Sequence, residues 1–258
     1  MESLLIKRSS VVLFLCIGLS YGYDSGFGKE YYKIRNSKLK KAAFVNTLLP
    51  KIKEAEKKIL SDRAFIENFF NNYLFTYSLK DRHDIERLIK ISKRYRIKQM
   101  YNEAEYLEKV DSIPISLVLA QSAVESAWGD SRFAKEGNNL FGEWTWGKKG
   151  IIPEGRDENA THRLRIFNTL DDSIARYMLN LNRHRSYKEF RVLRAHKRAE
   201  KENFTGLDAA AKMTNYSQMR EVYSRLLANV IKSNAFTGYE KRPVETLPVK
   251  SFASPFIK

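Results

Sequence analysis

The feature of this sequence that could do chemistry is one carboxylic acid beside a long uncharged segment. Glu125 directly follows a run from Ile113 to Val124 that contains no charged side chain. A helix with apolar or small residues on every side is typically buried, and burial raises the pKa of a carboxyl group because desolvation disfavours the charged form. A carboxyl group that is protonated near neutral pH can act as a general acid. The same residue near a helix end can also serve only as a hydrogen-bond acceptor for a neighbouring loop.

The segment that carries Glu125 is predicted to be a helix that runs to Trp128. Ser112 can cap its start, and Pro114 can occupy the first turn, where the missing N–H costs nothing. The neighbours of Glu125 one turn away on this helix are two polar residues, an aromatic residue and a glycine: Gln121, Ser122, Trp128 and Gly129. Small polar groups and one aromatic ring are therefore expected to surround the carboxyl group.

Aromatic residues cluster after Glu125, and their rings could offer flat apolar faces to a ligand. Trp144 and Trp146 alternate with Glu143 and Thr145, as residues of an exposed platform would. Trp128 and Phe141 fit a core position as well.

Other chemistries lack the residues they need. The four histidines have no zinc-type spacing and no cysteine partners: His83, His162, His184 and His196. The sequence contains neither a Gly-x-Ser-x-Gly nucleophile elbow nor a phosphate-binding Gly-Lys-Ser/Thr loop. We therefore expect no metal and no nucleotide cofactor.

The N-terminal segment predicts an exported protein. Residues 1–22 combine a basic Lys7-Arg8 pair, an apolar run and a small-residue end at Gly22, which is the pattern of a secretory signal peptide. The apolar run from Val11 to Leu19 is less than half of the about 20 residues that a membrane-spanning helix needs. Lipidation at Cys16 is an alternative that the large Leu15 before it disfavours. Cleavage would remove the only cysteine, so the mature chain could form no disulfide.

The charge of the chain points to an anionic partner. Its 258 residues carry a formal net charge of +16 at pH 7. For an exported protein, we expect the partners to be peptidoglycan glycan strands, whose stem peptides carry carboxylates, or an anionic envelope surface, and not nucleic acid.

Composition divides the rest of the chain into three parts. Residues 23–109 predict an N-terminal helical extension, 110–238 a catalytic domain, and 239–258 an extended C-terminal tail rich in proline. Within the extension, one helix places Phe44, Leu48, Ile52 and Ala55 on one face, Asp62 is expected to cap a second helix, and a third covers about residues 80–96.

The catalytic part should contain a short hairpin followed by two helices. The His162–Phe167 segment predicts a strand with His162, Leu164 and Ile166 along one side. Thr169–Asp172 is predicted to cap a helix, and another helix is expected from Tyr187 to Arg194.

The string from Ala120 to Gly142, AQSAVESAWGDSRFAKEGNNLFG, resembles the active-site stretch of glycoside hydrolase family 73. Further resemblance to the Bax-like branch of that family lies in KKAAFVNTLLPKI, LRIFNTLDDSIARYMLNLNRH and NYSQMREVYSRLLANVI, so that most of the mature chain is covered. The Trp128-Gly129 pair and the Asn-Asn-Leu-Phe-Gly turn distinguish it from lytic transglycosylases. The resemblance implies a predominantly helical α+β fold: a lysozyme-like catalytic domain with a small β-hairpin lobe.

The same resemblance implies the site residues. It places the catalytic acid on Glu125, a second acid on Glu158, and a cleft-facing tyrosine on Tyr216. Arg220 stands where the branch usually has a glycine, which leaves the shape of that loop open. Substrate contacts are expected from Trp128, Asn139, Phe141, Trp144 and Trp146.

The second catalytic group remains open. Glu154 and Asp157 lie close to Glu158 in the sequence, and Glu143 is a further alternative. The 2-acetamido group of the substrate could itself attack the anomeric carbon.

The resemblance implies an exported β-N-acetylglucosaminidase that cleaves the β-1,4 bond between N-acetylglucosamine and N-acetylmuramic acid. Two other functions stay open at the level of sequence. One is a lytic transglycosylase or muramidase, and the other is a non-catalytic protein that binds the cell wall.

Overall fold

The computed structural model describes residues 26–73, 82–157, 159–213 and 220–240. The helices are α1 Lys29–Lys33, α2 Ser37–Tyr73, α3 Arg82–Tyr95, α4 Glu103–Lys109, α5 Ile115–Glu125, α6 Arg132–Gly137, α7 Leu170–Arg183, α8 Lys188–Ala199, α9 Gly206–Ala211 and α10 Arg220–Ser233. Two short strands, β1 Trp144–Thr145 and β2 Arg163–Leu164, pair in an antiparallel hairpin. The predicted class, predominantly helical α+β with a small hairpin, is confirmed.

Helix α5 lies at the centre of the molecule. Every residue from Ile115 to Ala123 is buried, as its uncharged sequence predicts. Helices α2, α9 and α10 pack around it. The carboxyl end of this central helix carries Glu125, so the packing of three other helices fixes where that residue lies.

Helix α2 is one continuous element of 37 residues. The predicted face of Phe44, Leu48, Ile52 and Ala55 is confirmed, since all four side chains are buried. The prediction that Asp62 caps a second helix is wrong. Apolar residues at helical spacing continue past it to the buried Ile66, and their packing outweighs the local tendency of aspartate to begin a helix.

The extension and the catalytic part share one hydrophobic core. Helix α2 packs against α4, α5 and α7, and a single cluster of buried residues includes Phe44 from the extension and Leu119 from α5. The division of the chain at residue 110 stays a prediction, but the two parts are packed together as one body of helices.

The hairpin is shorter than the sequence predicted. Trp144 pairs with Leu164 and Thr145 with Arg163, and an isolated bridge joins Ile151 to Leu164. Leu164 is buried, whereas Ile166 is 50% exposed. The predicted common side of Leu164 and Ile166 is therefore wrong, because the strand ends at Leu164 and the alternation ends with it.

The helices after the hairpin follow the prediction. Thr169 and Asp172 form a reciprocal capping box at the start of α7. A 3-10 turn at Arg185–Tyr187 leads into α8, which extends beyond the predicted end at Arg194. In the part of the chain that the structure describes, no helix is long and apolar enough to cross a membrane.

The start of the predicted tail is tied to the catalytic part. The Glu240 carboxylate accepts a hydrogen bond from the Gly206 amide at 2.9 Å and another from the Ser116 hydroxyl. The rest of the predicted tail, 241–258, lies outside the described residues.

Candidate active site

Glu125 is the last residue of α5 and is partly buried. Burial raises the pKa of its carboxyl group above the usual value, and a hydrogen bond from the Tyr223 hydroxyl to Oε1, at 2.6 Å, offsets part of this rise. The negative end of the α5 dipole also disfavours a charged carboxylate at this position. The environment therefore favours the protonated acid.

A chain of hydrogen bonds connects Glu125, on α5, to two other helices. The Tyr177 hydroxyl on α7 donates to Gln121 Oε1, and Gln121 Nε2 donates to the Tyr223 hydroxyl on α10 at 3.0 Å. Tyr223 then donates to Glu125. Gln121 is fully buried, so its amide orientation is set by these two tyrosines. The position of the Glu125 carboxyl group is fixed by side chains from α5, α7 and α10.

Sequence reasoning assigned Tyr223 to the packing of the terminal helix and not to the site, because it is 98 positions from Glu125 in the chain. One signal was available: Tyr223, Leu227 and Ile231 follow one another four apart and form the buried face of α10. A tyrosine on a buried face needs a partner for its hydroxyl group. The identity of that partner depends on the packing of α10 against α5, which no local pattern encodes.

The tyrosines near Glu125 stay neutral over a wide pH range. Burial raises the pKa of Tyr187 to about 12, and the charges of Glu125 and Glu143 contribute to the rise. Burial, together with the charge of Glu125, also raises the pKa values of Tyr177 and Tyr223. These phenols can therefore act as hydrogen-bond donors to a glutamate without becoming charged.

The chain reverses direction directly after Glu125. The helix was predicted to continue to Trp128, but it ends at Glu125 because Ala127 and Trp128 adopt left-handed backbone angles, with φ of 50° and 55°. The Trp128 amide donates to the Ala123 carbonyl oxygen at 2.8 Å and the Ala127 amide to Val124 at 3.4 Å. This pair of bonds is the Schellman motif that ends many helices.

The ring of Trp128 is partly buried and packs against residues of the core. It lies 5.3 Å from the Phe44 ring and 6.2 Å from the Phe236 ring, measured between centroids, with Lys41 Nζ 4.7 Å from its centre. These contacts match the core position that the sequence left open, and the predicted contact of Trp128 with a sugar stays a prediction.

Asn139 and Phe141 are buried side chains that pack next to the residues of the site. Asn139 is 1% exposed, and its amide group bonds to the backbone of Glu143 and Arg165 at 2.9 to 3.0 Å. Phe141 is 6% exposed and stacks on Tyr177 with ring centroids 3.8 Å apart. Asn139 holds the turn into β1, and Phe141 packs behind the hydrogen-bond chain; the predicted sugar contacts of both residues stay predictions.

Trp144 and Trp146 form an exposed aromatic surface on the hairpin, as the alternation predicted. Their side chains are 52% and 72% exposed, and their rings meet edge to face at 6.4 Å. His162 stacks on Trp144 with a centroid distance of 4.3 Å. Three rings are thus available to a ligand at this surface.

Two predicted catalytic residues, Glu158 and Tyr216, lie outside the described residues and stay predictions. Among the alternatives for the second acid, Glu143 forms ion pairs with Arg176 at 2.8 Å and with Arg165 at 3.2 Å. Two guanidinium groups therefore hold its carboxylate. Glu154 is mostly exposed and lies 3.3 Å from Arg132.

Comparisons with known proteins show which family this chain resembles. Residues 101–236 match the model of the glucosaminidase family, described as mannosyl-glycoprotein endo-beta-N-acetylglucosaminidase. The chain is 31% identical over 203 residues to Protein bax of Escherichia coli (strain K12), which covers 76% of this chain and 70% of that protein. No solved structure shows a significant match. The matched region contains the whole hydrogen-bond chain from Tyr177 to Glu125.

Proposed function

The chain belongs to the glucosaminidase family, and from that premise we propose that it cleaves peptidoglycan between N-acetylglucosamine and N-acetylmuramic acid, with Glu125 as the general acid. The predicted family membership is confirmed by the comparisons and makes the protein a glycosidase. The observation that carries the choice of acid is the partly buried position of Glu125 at the end of α5, where its pKa is raised above the usual value.

The proposed role of Glu125 is to protonate the leaving oxygen. In glycoside hydrolysis one carboxylic acid gives its proton to the glycosidic oxygen while the sugar develops oxocarbenium character. A raised pKa keeps a larger fraction of the carboxyl group protonated at a given pH, as a general acid requires. Tyr223 directs the carboxyl group, since its hydroxyl bonds one oxygen, Oε1, at 2.6 Å. The other oxygen, Oε2, would be the one that meets the substrate.

The second half of the reaction is assigned by resemblance. Glu158 is proposed as the second acid, acting on water or on the anomeric carbon, and Tyr216 as a residue that orients water or the acetamido group. Glu143 is the alternative that the described structure supports least, because two arginines neutralise it. A nucleophilic attack by the 2-acetamido group of the substrate remains a third route.

The aromatic surface of Trp144 and Trp146 is proposed to bind the glycan strand. The two exposed rings and His162 offer flat faces on the hairpin lobe, and such faces suit sugar rings. Export is proposed from the signal-peptide pattern of residues 1–22, and the net charge of +16 would favour binding to the carboxylates of the cell wall.

Digestion of purified sacculi tests the proposed bond. New reducing ends would be identified after reduction and complete hydrolysis of the released fragments. Reduced N-acetylglucosamine is the expected product. Reduced N-acetylmuramic acid would make the protein a muramidase, a 1,6-anhydro product would make it a lytic transglycosylase, and release of no sugar at any pH, with binding retained, would make it a wall-binding protein.

A further inference from the structure

The turn that follows Glu125 is strained. Ala127, Trp128 and Gly129 all have positive φ, at 50°, 55° and 79°. Only glycine adopts this conformation without cost, because a Cβ atom comes too close to the following carbonyl oxygen. Two consecutive side-chain-bearing residues in this region persist only where their surroundings hold them.

Some of the contacts that hold the turn are local. Ser126 Oγ accepts a hydrogen bond from the Gly129 amide at 2.8 Å and donates to the Ser122 carbonyl oxygen at 2.5 Å. The Ser131 amide donates to the Ser126 carbonyl oxygen at 2.9 Å. Glu125 lies between Ser122 and Ser126 in sequence, so these bonds connect the acid directly to the turn.

Other contacts with the turn come from the N-terminal part of the extension, in and just before α1. The Tyr31 hydroxyl, on α1, donates to the carbonyl oxygen of Trp128. The Phe27 ring covers Gly129 so closely that a Cβ atom there would lie 2.7 Å from Phe27 Cε2. Phe27 also stacks on Tyr31 at 4.4 Å. Tyr31 and Phe27 are both buried, and neither lies in the region 101–236 that matches the glucosaminidase family.

Helix α2 adds two charged contacts to the same turn. Lys40 forms an ion pair with Asp130, and Lys41 lies over the Trp128 ring at 4.7 Å. Phe44 also contacts the Trp128 ring edge to face. The extension therefore contacts the Trp128 carbonyl oxygen, the Trp128 ring and the Asp130 carboxylate.

We propose that the extension supports the active site through the contacts that Phe27 and Tyr31 make with this turn, and that Tyr31 is a positioning residue for Glu125. The inference rests on the proposed role of Glu125 as the acid. The hydroxyl of Tyr31 holds the strained turn, the turn fixes the end of α5, and the end of α5 fixes the carboxyl group. The region that matches the family therefore contains the acid but not all of the contacts that position it.

The test compares Tyr31→Phe with Tyr32→Phe in the full chain. The first substitution removes the hydrogen bond to Trp128 and keeps the stacked ring. The second is a matched control, because the Tyr32 ring also packs in this cluster, edge to face with Tyr31 at 5.3 Å and with Phe27 at 6.4 Å. Within the described residues, the hydrogen bond from α1 to the turn comes from Tyr31 and not from Tyr32. Amide hydrogen exchange at Trp128 and Gly129 reports on the turn, and kcat and KM on soluble glycan strands report on catalysis.

For Tyr31→Phe we expect exchange at these two amides to become about tenfold faster, because one partly buried hydrogen bond to the turn is lost. We also expect kcat to fall by about tenfold or more with KM within about twofold, because a small displacement of a catalytic group lowers the rate without affecting ground-state binding. Tyr32→Phe should match the wild type in both measurements.

Two results would overturn the inference: exchange at Trp128 and Gly129 that is equal in the two variants, or faster exchange in Tyr31→Phe with an unchanged kcat. Failure of the proposed function looks different. In that case the wild type itself releases no sugar, and the exchange measurement alone decides whether Tyr31 holds the turn.

Discussion

At the scale of single residues, the raised pKa of Glu125 results from opposing effects. Burial and the helix end favour the protonated acid, whereas the hydrogen bond from Tyr223 favours the carboxylate. The Tyr223 hydroxyl also accepts from Gln121, which is fully buried. One phenol thus serves both the orientation of the acid and the hydrogen bonding of the core.

Removing the Tyr223 hydroxyl should separate these roles. In Tyr223→Phe the carboxylate loses a donor, so the pKa of Glu125 should rise further. A general acid works only while protonated, so the alkaline limb of the kcat/KM profile should move to higher pH, with a lower maximum because the carboxyl group is less well oriented. The free energy of unfolding should fall by about 1–3 kcal/mol, since Gln121 loses a buried partner.

Measured pH profiles and urea unfolding check this prediction. Tyr101→Phe is the control, because Tyr101 is 69% exposed. An alkaline limb that moves to lower pH in Tyr223→Phe would show that the hydroxyl does not favour the carboxylate.

At the scale of elements, the end of α5 is the point where local preference and packing disagree. Alanine at 127 occupies the left-handed position that glycine usually takes in a Schellman motif. No residue type before Gly129 indicates a helix end, so the helix was predicted to end at Trp128, three residues after its true end at Glu125. Contacts from α1 and α2 fix the true end.

Glycine at this position should relieve the strain. Ala127→Gly is expected to raise the free energy of unfolding by roughly 0.5–1 kcal/mol, because the gain in the folded turn exceeds the entropy gained by the unfolded chain. The same change at Ala42, an exposed position inside α2, should lower it by about 1 kcal/mol. Urea unfolding of both variants measures the sign of each change in the free energy of unfolding. An equal decrease in the two variants would contradict a strained turn.

At the scale of the whole molecule, a buried charge cluster ties the extension to the catalytic part. Asp111 is 1% exposed and lies 3.3 Å from Arg63 on α2. On α8, Arg198 Nε donates to Asp111 at 2.6 Å, and Arg194 lies 3.8 Å away. Burial alone would raise the pKa of Asp111, but Arg194, Arg63 and Arg198 together outweigh it and hold the pKa below its usual value.

Neutralising this aspartate should destabilise the entire fold. Asp111→Asn leaves buried arginines without their counter-charge, so the free energy of unfolding at neutral pH should fall by about 3–5 kcal/mol in a single transition. Glu86→Gln removes an exposed ion pair with Arg82 and should cost about 0–1 kcal/mol.

The effect of Asp111→Asn should depend on pH. The pKa of Asp111 is lowered in the folded state, so its contribution is complete above the usual aspartate pKa of about 3.9 and is lost as the pH falls below that value. The difference between wild type and variant in urea unfolding should therefore shrink in acid. A constant difference, or two separate transitions at neutral pH, would contradict a shared charged core.

The parts of the fold that could be predicted are those encoded by periodicity and caps. The buried α5, the stripe that begins at Phe44, the capping box at Thr169 and the exposed Trp144 and Trp146 all follow from patterns within a few residues. Tyr223, Tyr31 and the true environment of Asp62 depend on helices that are far apart in sequence. Propensity could not identify them, because tertiary packing selects their partners.

Glu125 is proposed to be the proton donor of the reaction, and substitution of Glu125 by glutamine tests this role most directly. Glu125→Gln keeps the size and a hydrogen-bonding partner for Tyr223 but has no acidic proton. Its rate of release of reducing ends from sacculi should fall by about 100-fold or more, while Glu136→Gln, an exposed change on α6, keeps the wild-type rate. A folded Glu125→Gln variant that digests sacculi as fast as the wild type would contradict the claim.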